Sequence, residues 1–125
     1  MPKYSKDKNL VLQENKVMSP SVKVVQPVGI LDGIKGHELR RDINDVVANG
    51  ADIVLIDLQD VKFMDSSGLG ALVSAMKTVK TSGGKLCLCS VKDQVRMIFE
   101  LTRMDRVFES FADRAEFDQK VLASK

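Results

Sequence analysis

The chain has 125 residues, 44% of them hydrophobic, with 19 basic and 17 acidic side chains for a net charge of +2. That length fits one domain able to bury a core of its own, and so even a charge balance does not point to nucleic acid or an anionic membrane. No apolar run approaches the ~20 residues of a membrane span, and the polar opening MPKYSKDKN has no signal-like apolar stretch.

In chain order, residues 1–20 read as an N-terminal extension, partly disordered or carrying a short edge strand at NLVLQ (9–13). Pro20 ends any regular ladder there, and the folded domain is expected over 21–125. VKVVQPV (22–28) predicts a strand and GILDG (29–33) a turn. HELRRDINDVVANG (37–50) predicts a helix, because Leu39, Ile43, Val46 and Val47 share one face and Asn49-Gly50 is a stop signal. DIVLIDL (52–58) is almost continuously apolar and β-branched, the pattern of a strand covered on both faces.

After FMDSSGLG (63–70) a helix is predicted, with Ala71, Leu72, Ala75, Met76 and Val79 inward and SGG (82–84) as its end. KLCLC (85–89) is the next strand. Ser90 with Asp93 predicts the cap of a helix whose buried stripe is Val91, Val95, Ile98 and Phe99. RVFES (106–110) reads as a short edge strand. Asp113 with Glu116 opens a last helix that packs Phe117, Val121 and Leu122 inward. Strands alternating with helices of this length predict the α/β class with mostly parallel pairing.

Cys87 and Cys89 alternate along one strand, so both point to one face, a spacing that does not suit a disulfide. His37 is the only histidine, which leaves no ligand set for a metal. Both cysteines read as ordinary strand hydrophobes in a reduced, cytoplasmic protein.

The chemistry concentrates in FMDSSGLG, where two serines and two glycines crowd the first turn of a helix. A cap explains one serine or Asp65, but Gly68 and Gly70 together lower helix stability by about 2 kcal/mol relative to alanine. A nucleophile elbow would need glycine two residues before its serine and a histidine base. Met64 and Asp65 stand at those positions, and His37 belongs to a different loop–helix junction. A phosphate-binding loop would need the P-loop lysine or a dinucleotide fingerprint, and neither is present. A serine that accepts a phosphate uses the whole stretch: a helix N-terminus tolerates the anion, and small neighbours leave the hydroxyl open to another protein.

The segment VLIDLQDVKFMDSSGLGALVSAMKTVKTSGGKLCLCSV resembles the STAS domain of bacterial anti-sigma factor antagonists, the SpoIIAA/RsbV type. The MDSSGLG signature, the GG turn before the next strand, GILD (29–32) and VRMIFELTRMDRVFE all occur in the family's order, from about Val22 to the C-terminus. The resemblance implies a small mixed sheet of four to five mostly parallel strands, with about four helices packed mainly on one face. It also implies a non-enzymatic switch without a cofactor. The unphosphorylated protein, a monomer when free, would bind an anti-sigma factor that is itself a GHKL-type serine kinase, and so free the sigma factor. The kinase would phosphorylate Ser66, directly after the aspartate, and a PP2C-type phosphatase would reverse the mark. Asp32, Gly33, Asp65, Ser67, Gly68 and Leu69 would form the docking surface, with the Ser67 hydroxyl helping the cap.

Other members of the family serve as scaffolds of stress-sensing complexes or as parts of transporters, and a free chain with an intact DSSGLG favours the antagonist. A response-regulator receiver with Asp57 as phosphoacceptor is the main rival from another class. It would need an acidic pair after the first strand and a lysine after the last, and neither is found. A nucleotide-binding sensor lacks a phosphate loop.

Overall fold

The structure, a computed structural model, describes residues 20–122; the strand expected at 9–13 lies outside them. Four strands, β1 (Val22–Val25), β3 (Ile53–Asp57), β5 (Lys85–Cys89) and β6 (Glu109–Phe111), form a parallel sheet in the order β1-β3-β5-β6. Each strand pairs with its predecessor in this sheet, so every crossover steps the same way. Right-handed crossovers stepping one way put the intervening helices on one face. These are α1 (Gly33–Ala48), α2 (Ser66–Thr81) and α3 (Asp93–Leu101). Among the described residues the strand order never reverses, so these strands form no topological switch point, the crevice in which open α/β sheets hold ligands.

Side-chain alternation sorts the core into two parts. Val54, Ile56, Leu86 and Leu88 pack under the three helices, against Leu39, Ile43, Leu72, Ala75, Val79, Val95 and Phe99. Ile53, Leu55, Cys87 and Cys89 face the other way, where Phe117 of α4 (Arg114–Phe117) covers them, joined by Val121 and Leu122 from the π-helical turn Asp118–Leu122. Every residue of β3 is therefore buried, as its unbroken apolar run predicts. The expected mostly parallel sheet with helices chiefly on one face is observed.

Four local readings need correction. GILDG is not a turn: Gly29–Leu31 is strand β2, paired in parallel with β4 (Val61–Met64) in a separate two-stranded ribbon. Its inward residues Leu31, Val61 and Met64 are buried, whereas Ile30 and Phe63 are exposed on its outer side. Helix α1 begins at Gly33 rather than His37, because Asp32 accepts from the N–H groups of Ile34 (3.1 Å) and Lys35 (3.0 Å) and starts it early. Ser90 does not cap α3. It sits at φ +59°, and Lys92 takes the cap position without a side-chain bond.

The last strand also lies later than RVFES, at Glu109–Phe111. Phe108 is instead drawn into the core, stacking on Phe99 with ring centroids 5.4 Å apart. The final helix opens as expected, with Asp113 accepting from the Glu116 N–H at 2.8 Å.

Candidate functional site: two helix N-termini beside Ser66

One register places the site. Leu31 and Met64 are partners in the ribbon, so the residues that follow them, Asp32 and Asp65, leave it together, and the Asp65 N–H donates to the Leu31 carbonyl at 3.3 Å. Each aspartate is the N-cap of a helix: Asp32 of α1, and Asp65 of α2, where its Oδ1 accepts from the Gly68 N–H at 2.9 Å. Two helices thus start side by side. The partial positive charges of their N-termini add at one edge of the molecule.

The strand end that carries Asp65 is held from α3. The Gln94 side chain accepts from the Met64 N–H at 2.9 Å and donates to the Met64 carbonyl at 3.3 Å, in the place of a further strand. Nothing in the sequence pattern pointed to Gln94. Its signal was a polar residue on the inner side of an amphipathic helix, beside Val95, which is hard to tell from surface.

Ser66 is the first residue of α2 and is exposed. Ser67 follows it, also exposed. Neither hydroxyl makes a hydrogen bond among the described residues, so the expected help from Ser67 in capping is not seen and Asp65 caps alone. Asp32 and Asp65 are half-buried, Gly33 is exposed, and Gly68 and Leu69 are buried. The last two therefore shape the site from beneath rather than lie on its surface. A Cβ on Gly68 would land on the Leu31 carbonyl, so the start of α2 rests directly on β2. Gly70 differs: a Cβ there meets nothing within 4 Å.

Gly36 and Ala71 bring α1 and α2 close, and a Cβ on Gly36 would lie 3.0 Å from that of Ala71. Beside this contact a cleft of about 250 Å³ opens between the helices, with His37, Arg40, Ser67 and Gly70 among its lining residues. Sequence spacing did not bring His37 to the serines. The ribbon does so by starting both helices together, although no hydrogen bond joins His37 to Ser67 among the described residues.

Other groups able to carry chemistry are closed off. Asp57 is 1% exposed, accepts from the Gln59 N–H at 3.0 Å and faces Arg114 at 3.9 Å, so a phosphoryl donor cannot reach it. Burial pushes the thiols of Cys87 and Cys89 up to about 11, which keeps both protonated and unreactive. Among the described residues there is no cluster of histidine, cysteine and acidic side chains able to hold a metal, and no helix long and apolar enough to cross a membrane.

The family model described as "STAS domain" matches residues 14–117. The chain belongs to the STAS domain family. It is 33% identical over 85 residues to the anti-sigma-B factor antagonist of Bacillus subtilis, which covers 68% of this chain and 77% of that one. A Thermotoga maritima structure, solved as that of a candidate anti-sigma factor antagonist, has a TM-score of 0.73 at 27% identity over 80% of this chain and 86% of that one. The SpoIIAA anti-sigma factor antagonist, solved unphosphorylated and, from Bacillus, phosphorylated, shares the STAS fold. The TM-scores are 0.64 and 0.62 at 21% and 20% identity, over 82% and 81% of this chain and 91% and 92% of SpoIIAA.

Proposed function

We propose that the chain is an anti-sigma factor antagonist. Its unphosphorylated form binds an anti-sigma factor that is itself a GHKL-type serine kinase, and so releases the sigma factor. Phosphorylation of Ser66 ends the binding, and a PP2C-type phosphatase restores it. In this reading residues 21–125 form the domain. The chain acts in the cytoplasm as a monomer, binds no cofactor and catalyses nothing itself.

The place of Ser66 carries the proposal. It is exposed, its hydroxyl is unengaged among the described residues, and it follows the capping Asp65 where two helices begin. A kinase can reach that hydroxyl, and the fold can tolerate the phosphate, because the helix dipole favours an anion there by about 0.3–1 kcal/mol. The 33% identity to a relative named as an antagonist points the same way. Gly33, Asp32, Asp65 and Ser67 surround the serine and form the docking rim, supported from below by Gly68 and Leu69.

The test is direct. The chain is incubated with ATP and a purified GHKL-type anti-sigma kinase of the same organism, and the product is mapped by mass spectrometry. Phosphate on Ser66 is the expected result. Phosphate confined to Ser67, or none at all, overturns the assignment.

A further inference from the structure

The cleft between α1 and α2 is lined by Ser67, the neighbour of Ser66 in the chain, and its chemistry is one-sided. His37 and Arg40 contribute to its lining and no acidic residue does. The Arg40 side chain, like most basic side chains among the described residues, makes no ion pair there, so its guanidinium is available to a partner. We propose that this cleft receives one acidic side chain of the anti-sigma kinase, with the Arg40 guanidinium as its ion-pair partner. The inference rests on the function proposed above and names a contact of that same docking site.

Shape supports charge. Residues three and four apart on a helix are neighbours, so Gly70 lies directly below both Ser67 and Ser66. Packing gives no reason for glycine there, since a Cβ would meet nothing within 4 Å, and alanine would make a better helix. Gly70 itself lines the cleft, and without a side chain it leaves that wall low. The cleft's 250 Å³ is several times the ~30 Å³ share of one water, so a side chain can enter. A planar guanidinium meets a carboxylate through two parallel hydrogen bonds, which fixes the orientation of the partner as well as attracting it. A partner that approaches Ser66 across Gly70 would carry such a group to Arg40.

The experiment is a titration of the kinase against wild type, Arg40→Glu, Gly70→Ala and Lys80→Glu, with a thermal melt of each. Lys80 lies at the far end of α2 and controls for net charge. Arg40→Glu is expected to weaken binding about tenfold or more without lowering the melt. Gly70→Ala should weaken binding while raising the melt, an outcome that loss of structure cannot produce. Changing one acidic residue of the kinase's docking face to lysine should restore affinity for Arg40→Glu. If the kinase binds wild type and Arg40→Glu alike, or loses Lys80→Glu equally, the cleft assignment falls while the function stands. If it binds no wild-type chain, the proposed function falls and takes this contact with it. Self-association of the wild type that Arg40→Glu abolishes, with kinase affinity unchanged, would make the cleft a contact between copies and overturn the proposal.

Discussion

Gly68 and Gly70 look equivalent in DSSGLG, yet the structure gives them opposite duties. The start of α2 touches the carbonyl of Leu31, and only a residue without a Cβ allows that approach. Gly68→Ala should therefore push the helix off the ribbon and lower the unfolding free energy by about 1–3 kcal/mol, the scale of overpacking in a closed site. Gly70→Ala meets open space in an ordinary helical position and should raise it by up to ~1 kcal/mol. Urea unfolding of the two variants decides the matter. If both changes have the same sign, the contact with Leu31 does not govern this turn. Asp65 acts alone as cap, so Asp65→Ala should cost about 1 kcal/mol, while asparagine, an equally good cap, should restore most of it.

At the level of elements, the ribbon β2–β4 sets the positions of both helix starts and was the part of the fold least legible in the sequence. Gly29–Leu31 is three residues long and begins with glycine, too short for alternation to show. By contrast DIVLIDL, KLCLC and the stripes of α1 and α2 were legible, because burial on one or both faces writes a period into the residues. The crowding of serines and glycines in DSSGLG was legible as a local pattern, but the cleft was not, since it depends on which helix starts beside which. Gln94 was equally invisible, because its work is to stand in for a strand. Gln94→Ala should leave the buried Met64 N–H without a partner and cost about 1–3 kcal/mol. Hydrogen exchange at Met64 should rise with it. If that amide stays as protected as in wild type, Gln94 is not what holds the ribbon.

Strand β5 gives a pH prediction of definite sign. The thiols of Cys87 and Cys89 stand near 11 in the fold because burial disfavours the thiolate, against roughly 8.5 for a free thiol. A group raised in the folded state contributes stability that is present below its unfolded value and lost as pH climbs to the folded one. Lys85, raised by its bond to Glu109 at 2.9 Å, adds loss in the same direction. Stability should thus decline from about pH 9 upward. The double variant Cys87→Ala, Cys89→Ala should be less stable at neutral pH yet show a shallower alkaline decline. An unchanged alkaline slope would mean that the thiols do not drive it. Iodoacetamide should modify neither cysteine until the chain unfolds.

Across the whole molecule, the proposed function would divide the two faces of the sheet between stability and switching. One face holds α4 through Phe117 and the Asp57–Arg114 pair. The other carries α1 and α2 and presents Ser66 at their shared beginning. A phosphate on Ser66 adds about −1.5 to −2 charges at neutral pH, but it adds them at an exposed helix start where solvent and the dipole accept them. The fold should scarcely register the change. A partner pressed over the same spot would bury an unpaired anion, and the loss on that side is several kcal/mol. A loss of ~3 kcal/mol already weakens binding more than a hundredfold. Ser66→Asp, a partial mimic, should therefore melt within a degree or two of wild type yet bind the anti-sigma kinase far more weakly. Ser66→Ala should melt alike, bind, and stay bound in the presence of ATP. Melts and kinase titrations of the three proteins provide the check. If Ser66→Asp binds as tightly as wild type while melting normally, charge at Ser66 is not what ejects the partner. If it binds weakly only because it has begun to unfold, the separation of the two faces is wrong.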